Sequence, residues 1–259
     1  LTTLNLSNCN LEKVTNMSRM FSWCEKLTSL DLSGLNAPNV TDMSSMFELC
    51  RSLTTLNLSN CNLEKVTNMR SMFSWCSSLT NLDLSGFNTA SVTNMSDMFS
   101  RCSSLTTLDL SSFNTEKVNS VVGMFSGCNA LKTIYVSADT WSDKSDLDKD
   151  ETSYGHGEEV ITNNAGKDMF KDCYTLVGGA GTKYDPERTS SKYACIDGVS
   201  GKIGYLTDIK DKTSGIVVPR QTTPQTTRVY GLNGVLMPKD AKRLSPGIYV
   251  KDGKKVVIQ

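Results

Sequence analysis

The chain has 259 residues, and its 27 Lys and Arg balance 27 Asp and Glu to give a formal net charge of zero. A neutral chain with no basic stripe lacks the electrostatic footprint of a nucleic-acid binder, and no uninterrupted apolar run approaches the about 20 residues of a membrane span. The one histidine, His156, lies between Gly155 and Gly157, which leaves little material for His-dependent catalysis or His-rich metal sites and disfavours an enzyme. The chain opens at Leu1 inside a repeating pattern, with no charged leader or apolar targeting segment ahead of it, so its natural start is expected upstream.

From that first residue the pattern has a period of 26: Leu1, Leu27, Leu53, Leu79, Leu105 and Leu131 recur at this interval. Leu4, Leu30, Leu56, Leu82, Leu108 and Ile134 follow it, as do Leu6, Leu32, Leu58, Leu84, Leu110 and Val136. Within the first repeat, Leu1, Leu4, Leu6, Cys9 and Leu11 fit the leucine-rich-repeat signature L-x-x-L-x-L-x-x-N/C-x-L, and five further repeats keep its first half. One repeat cannot bury its own apolar face, whereas stacked repeats build a continuous core. The period-two alternation of L-x-x-L-x-L predicts a short strand in each repeat, and successive strands are expected to form a parallel sheet.

A polar turn such as Ser85-Gly86 comes next, then a segment running from Val92 to Cys102. Met95, Met98, Phe99 and Cys102 fall on one face at helical spacing, with Thr93 or Asn94 as N-cap, so a short helix is predicted. Met and Phe columns repeated in every turn of the chain read as core filler. Cys24, Cys50, Cys76, Cys102 and Cys128 form a further column, and Cys9 and Cys61 share another with Leu35, Phe87 and Phe113. Cys9 and Cys61 lie two repeats apart, about 10 Å, which exceeds disulfide reach. Buried free thiols are the expectation, with disulfides between adjacent repeats and metal ligation as alternatives.

The wording LTSLDLSGLNAPNVTDMSSMFELC, repeated every 26 residues, resembles the bacterial surface protein repeat of the BspA-like leucine-rich repeat family. The likeness is close over residues 1–136. It continues more loosely through Tyr135-Val136-Ser137, Trp141, Met169 to Cys173, Leu176 to Gly179, and Tyr193 to Tyr205. The resemblance implies a protein found on or outside bacterial cells, in a family that includes adhesins binding host matrix proteins or other cells. The implied fold is α/β: a leucine-rich-repeat solenoid with a parallel β-sheet on its concave face and short helices on the other.

Two outward surfaces are candidate sites. On the strands, Asn5, Asp31, Asn57, Asp83, Asp109 and Tyr135 form a central outward column, read either as a solvated hydrogen-bonding ladder or as a shallow site for a basic protein or a glycan. On the flank, Trp23, Leu49 and Trp75, followed by Arg101 and Gly127, precede the column cysteines and offer an apolar partner patch if exposed, or edge packing if not.

Residues 137–164 carry eight acids against Lys144 and Lys149. Asp146, Asp148 and Asp150 resemble the opening of a calcium loop, but Glu151 stands where glycine is required and Gly157 occupies the twelfth position, so a solvated loop is expected. Val177 to Lys183 is superficially like a phosphate loop without its Gly-Lys-Ser/Thr order, and reads as a turn. The Thr, Pro and Gln stretch within 208–227 reads as a linker. Residues 228–259, with Gly247-Ile248-Tyr249-Val250, an Asp252-Gly253 turn and Val256-Val257-Ile258, predict a small β hairpin module. This tail resembles, in shorter form, the C-terminal sorting modules of type IX secretion.

The chain therefore divides into regular repeats (1–136), an acidic insertion with a degenerate terminal repeat (137–207), a linker (208–227) and a β module (228–259). The expected protein is non-enzymatic, needs no cofactor or metal, and is exported to the bacterial surface, where it recognises an extracellular protein or glycan. A self-associating surface component and a binding module cut from a larger secreted protein are the alternatives.

Overall fold

The structure is a computed structural model that describes residues 11–59, 61, 63–147, 165–214, 229–231, 247–251 and 254–258. The chain divides into two compact bodies, Leu1–Val217 and Val218–Gln259. In the first, short strands arise where the apolar alternation predicts them, β1 (Ser29–Asp31), β2 (Thr55–Asn57), β3 (Thr107–Asp109) and β4 (Thr133–Val136), and a further strand, β5 (Leu206–Asp208), follows beyond the regular repeats. Pairing is parallel and follows the repeat, with Leu30 opposite Leu56 and Leu108 opposite Ile134. The central leucine of β1, β2 and β3 points inward and its polar neighbours lie toward the surface.

The expected continuous sheet is instead two sheets, β1-β2 and β3-β4-β5. Residues 81–83 between them form no strand, although Leu79 and Leu84 on either side stay buried. On the Asp109 side there is a reason: this is the junction where two aspartates, Asp83 and Asp109, would stand directly opposite, and like charges there destabilise pairing.

The short helices expected on the other face do not form. Arg19, Trp23, Ser45, Leu49, Ser71, Trp75, Asp97 and Arg101 all have left-handed backbone, with φ between 55° and 65°, which an α-helix cannot accommodate. The backbone is satisfied by another route. The amides of Met17, Arg19, Phe21 and Trp23 donate to the carbonyls of Asp42, Ser44, Met46 and Glu48 in the next repeat, at 2.8–2.9 Å. The amides between them, of Met20, Ser22 and Cys24, turn back to Met17, Arg19 and Phe21 at 3.1–3.3 Å. A turn renewed every four residues brings the same positions inward as a helix does, so the sequence period alone does not separate the two. Asn16, Asp42, Asn68, Asn94 and Ser120 add a parallel bridge ladder along this face.

Inside, Phe21, Phe47, Phe73, Phe99, Phe125 and Phe170 stack in one column, with successive ring centroids 5.5–5.8 Å apart and planes within 17°. Tyr205 closes the stack edge-on to Phe170, at 5.2 Å. Beside it runs a column of thiols, each donating to a phenylalanine carbonyl: Cys50 to Phe21, Cys76 to Phe47, Cys102 to Phe73 and Cys128 to Phe99, at 3.0–3.1 Å. Cys173 makes the same bond to Phe125, but across 48 residues of sequence rather than 29, so the register resumes after the acidic insertion.

The eight cysteines among the described residues are all free thiols, and burial pushes Cys50 and Cys128 up to about 12. Native protein is accordingly expected to react with maleimide first at half-buried Cys24 and Cys195, and at Cys50, Cys76, Cys102, Cys128 and Cys173 only after denaturation. Mass spectrometry of labelled peptides checks this; prompt native labelling of Cys102 would contradict the packing.

β5 leads into helix α1 (Ile209–Ser214). In the second body, β6 (Val229–Gly231), β7 (Gly247–Lys251) and β8 (Lys254–Ile258) form an antiparallel sheet in the order β6-β7-β8. The predicted hairpin is β7-β8, and β6 adds a third strand.

Candidate functional site

The strand-face column is partly structural. Asp31, Asn57, Asp83 and Asp109 each accept, through Oδ1, the backbone amide two residues on, from Ser33, Ser59, Ser85 and Ser111 at 2.9–3.1 Å. This is the Asx turn, which spends one side-chain oxygen on ending the strand. The amide of Ser33 beside Asp31, and that of Ser85 beside Asp83, hold those carboxyls below the ordinary aspartate range. At Asp109, burial works upward but is outweighed by Ser111 and by Lys212, leaving a net downward shift. Lys212, from α1, places its Nζ 2.9 Å from Asp109 Oδ2 and 5.0 Å from the Tyr135 ring centre. The chain's own helix thus covers one end of the column, a contact that repeat arithmetic had no means to reveal. Asn5 lies outside the described residues.

The flank column differs from the expected patch. Trp23 is 67% exposed, but Leu49 is buried, so the apolar surface does not run on from repeat to repeat. Trp75 is half-buried, with the Arg51 guanidinium 5.0 Å and the Arg101 guanidinium 4.4 Å from its ring centre. Cation–π contacts of this geometry orient the guanidinium as well as holding it. Arg51 also pairs with Glu25 at 3.4 Å. Arg101 stands in the column that the sequence singles out, one repeat beyond Trp75; Arg51 is the residue that sequence reasoning missed, its signal being a place two positions beyond Leu49 of the same column.

The acidic insertion is anchored at its root. Lys144, 5% exposed, donates to the carbonyls of Thr115 (2.5 Å) and Val118 (3.0 Å), and burial lowers its pKa. Asp143 pairs with Lys202, whose hydrogen bond, helped by the Ser145 amide, pulls that carboxyl down to about 2. A depressed carboxyl stabilises the fold above its unfolded pKa, about 3.9, and that contribution is lost as pH falls toward 2. Lys202→Met should therefore flatten the acid limb of stability between those values, read as urea midpoints at successive pH; an unchanged limb would deny the pair any role. The calcium-like residues Asp148, Asp150 and Gly157 lie outside the described residues, and among the described residues no three His, Cys, Asp or Glu side chains converge on a metal-sized site.

The glycine-rich segment is a turn. Val177 bridges Lys183 antiparallel, and the amides of Ala180 and Thr182 donate to Asp197 Oδ2 at 3.0 and 2.9 Å. Those amides are consumed by a buried carboxylate, so they form no phosphate cradle.

In-register repeats with a uniform interior and an outward column that changes from repeat to repeat make this a repeat protein. Residues 2–58 and 52–149 match the family model described as Mycoplasma protein of unknown function, DUF285, and together these segments span more than half of the chain. The chain belongs to this family. No curated protein and no solved structure matches it. No helix among the described residues is long and apolar enough to cross a membrane.

Proposed function

We propose that this chain is an exported, non-catalytic bacterial surface protein, a leucine-rich-repeat solenoid of the BspA-like kind, whose outward columns recognise an extracellular protein or glycan. The observation that carries the reading is the contrast between columns. Most buried positions keep one apolar residue type from repeat to repeat or exchange it for another apolar one, while the flank position passes through Trp23, Leu49, Trp75, Arg101, Gly127 and Asp172. A scaffold needs the first uniformity, and recognition uses the second variety, because function resides in sites placed on a fold. The family match supports a repeat protein and gives no activity. In the same reading residues 228–259 serve as the sorting module.

The test is antibody labelling of intact cells producing the full protein with one epitope in the repeats and another after Gln259. Labelled repeats, followed by binding of the purified chain to immobilised matrix proteins or cell-surface glycans that Trp23→Ala weakens, are expected. Repeats that label only after permeabilisation would overturn the reading. Concentration-dependent assembly without ligand binding would replace it with a self-associating surface component.

A further inference from the structure

The flank column has a gap. At Gly127 it loses its side chain, and between Arg101 on one side and Asp172 with Tyr174 on the other the surface opens a notch of about 290 Å³. This is near the lower end of the about 300–1,000 Å³ typical of small-ligand clefts. Gly127 keeps the left-handed backbone of its column, with φ 75°, and a Cβ there would stand 2.9 Å from the Arg101 side chain at Cγ.

The groups around the notch are unlike at its two ends. Arg101 is held against Trp75 and has no carboxylate partner among the described residues, so its guanidinium fork is oriented and available. At the other end, Asp172 Oδ1 accepts the Tyr174 hydroxyl at 2.7 Å, which leaves Oδ2 as a hydrogen-bond acceptor. The hydrogen-bond geometry assigns the Asn129 amide nitrogen as donor to the carbonyls of Asp172 (2.8 Å) and Gly127 (3.1 Å), which leaves its amide oxygen as an acceptor. Tyr174, 62% exposed, supplies open aromatic surface, while the Trp75 ring is taken up by Arg51 and Arg101.

We propose that this notch binds a single carboxylated sugar residue, a uronate or a sialic acid, as part of a cell-surface glycan. The proposal rests on the surface-recognition reading and names a ligand class for it. Arg101 takes the sugar carboxylate bidentately. Asp172 and Asn129 accept from ring hydroxyls, and the Tyr174 ring covers the apolar face of the pyranose. A carboxylated pyranose presents its charge and its hydroxyls on opposite sides of one ring.

The test uses the full chain and saturation-transfer NMR with calorimetry, titrating glucuronate, N-acetylneuraminate and, as the neutral probe, methyl glucoside. Saturable binding of at least one acidic sugar is expected, with the uronate and sialate arms showing which of the two it is. Methyl glucoside and the Arg101→Gln variant should each lose about tenfold or more, the effect of one charge-assisted contact. Asp172→Asn provides a second variant, expected to weaken both acidic sugars while its thermal midpoint shows an intact fold. Equal binding by folded Arg101→Gln, equal binding of the neutral sugar, or no saturable binding of either acidic sugar would overturn the proposal. Surface labelling and matrix binding that persist in Arg101→Gln would separate that failure from failure of the surface-recognition reading.

Discussion

Truncating Phe99 to alanine is expected to cost about 3–5 kcal/mol, a large share of the about 5–15 kcal/mol that holds a domain folded. Phe99 is fully buried and stacks on Phe73 at 5.7 Å and on Phe125 at 5.8 Å, so its loss strips contacts from two rings at once. The surroundings cannot collapse into the gap. Each repeat is tied to the next by backbone hydrogen bonds at fixed spacing, including Phe73 N to Met98 O and Phe99 N to Met124 O, both 2.9 Å. Because stability in a repeat array is a sum of repeat and interface contributions, the loss falls on two interfaces and should broaden the unfolding transition as well as lower its midpoint. Urea unfolding followed by circular dichroism reads both. Trp23→Ala, at a position 67% exposed, serves as the control and should move stability by no more than about 0.5 kcal/mol. Equal midpoints for the two variants would refute the stacked column as the source of stability.

Asp197→Ala is expected to cost about 3 kcal/mol at the other end of the array. The carboxylate is 4% exposed and accepts from the Ala180 amide (3.0 Å), the Thr182 amide (2.9 Å) and the Thr182 hydroxyl (2.7 Å). Alanine leaves these buried donors without a partner, and an unmet buried donor costs about 1–3 kcal/mol. Asp197→Asn should lose less, because an amide oxygen in the place of Oδ2 still accepts the Ala180 and Thr182 amides. The turn packs so closely here that a Cβ at Gly178 would stand 2.4 Å from the Gly204 carbonyl oxygen and 2.6 Å from Asp197 Oδ2, so only glycine fits at that position. Amide hydrogen exchange at Ala180 and Thr182 measures the local effect directly. Protection that survives in Asp197→Ala would mean that the turn holds itself.

The route from the strand face to a partner changes once Lys212 is seen on Asp109. A basic ligand approaching this column would meet Asp31 and Asp83 open, and Asp109 already paired at 2.9 Å within the chain. The flank, by contrast, presents Trp23, the arginine-flanked Trp75 and the notch at Gly127, with no described segment of the first body across them.

The 26-residue period, the inward leucines, the Met, Phe and Cys columns and the free thiols were legible in the sequence because a stacked array imposes the same burial on every copy of a position. The turn at Val177–Lys183 and the β7-β8 hairpin were legible for a local reason: glycine and Asp-Gly spacing fix short-range geometry. What the sequence by itself could not separate was helix from stacked turns, since Met95, Met98, Phe99 and Cys102 face inward in either. Left-handed residues such as Asp97 and Arg101 decided it, and they are stabilised only by amides that reach the next repeat. The same holds for the sites. Burial of Leu49, the seating of Lys212 on Asp109, the clasp of Arg51 and Arg101 on Trp75 and the notch beside Gly127 all depend on which repeats become neighbours. Period and polarity act within one repeat, and contact between side chains of different repeats exists only after they stack.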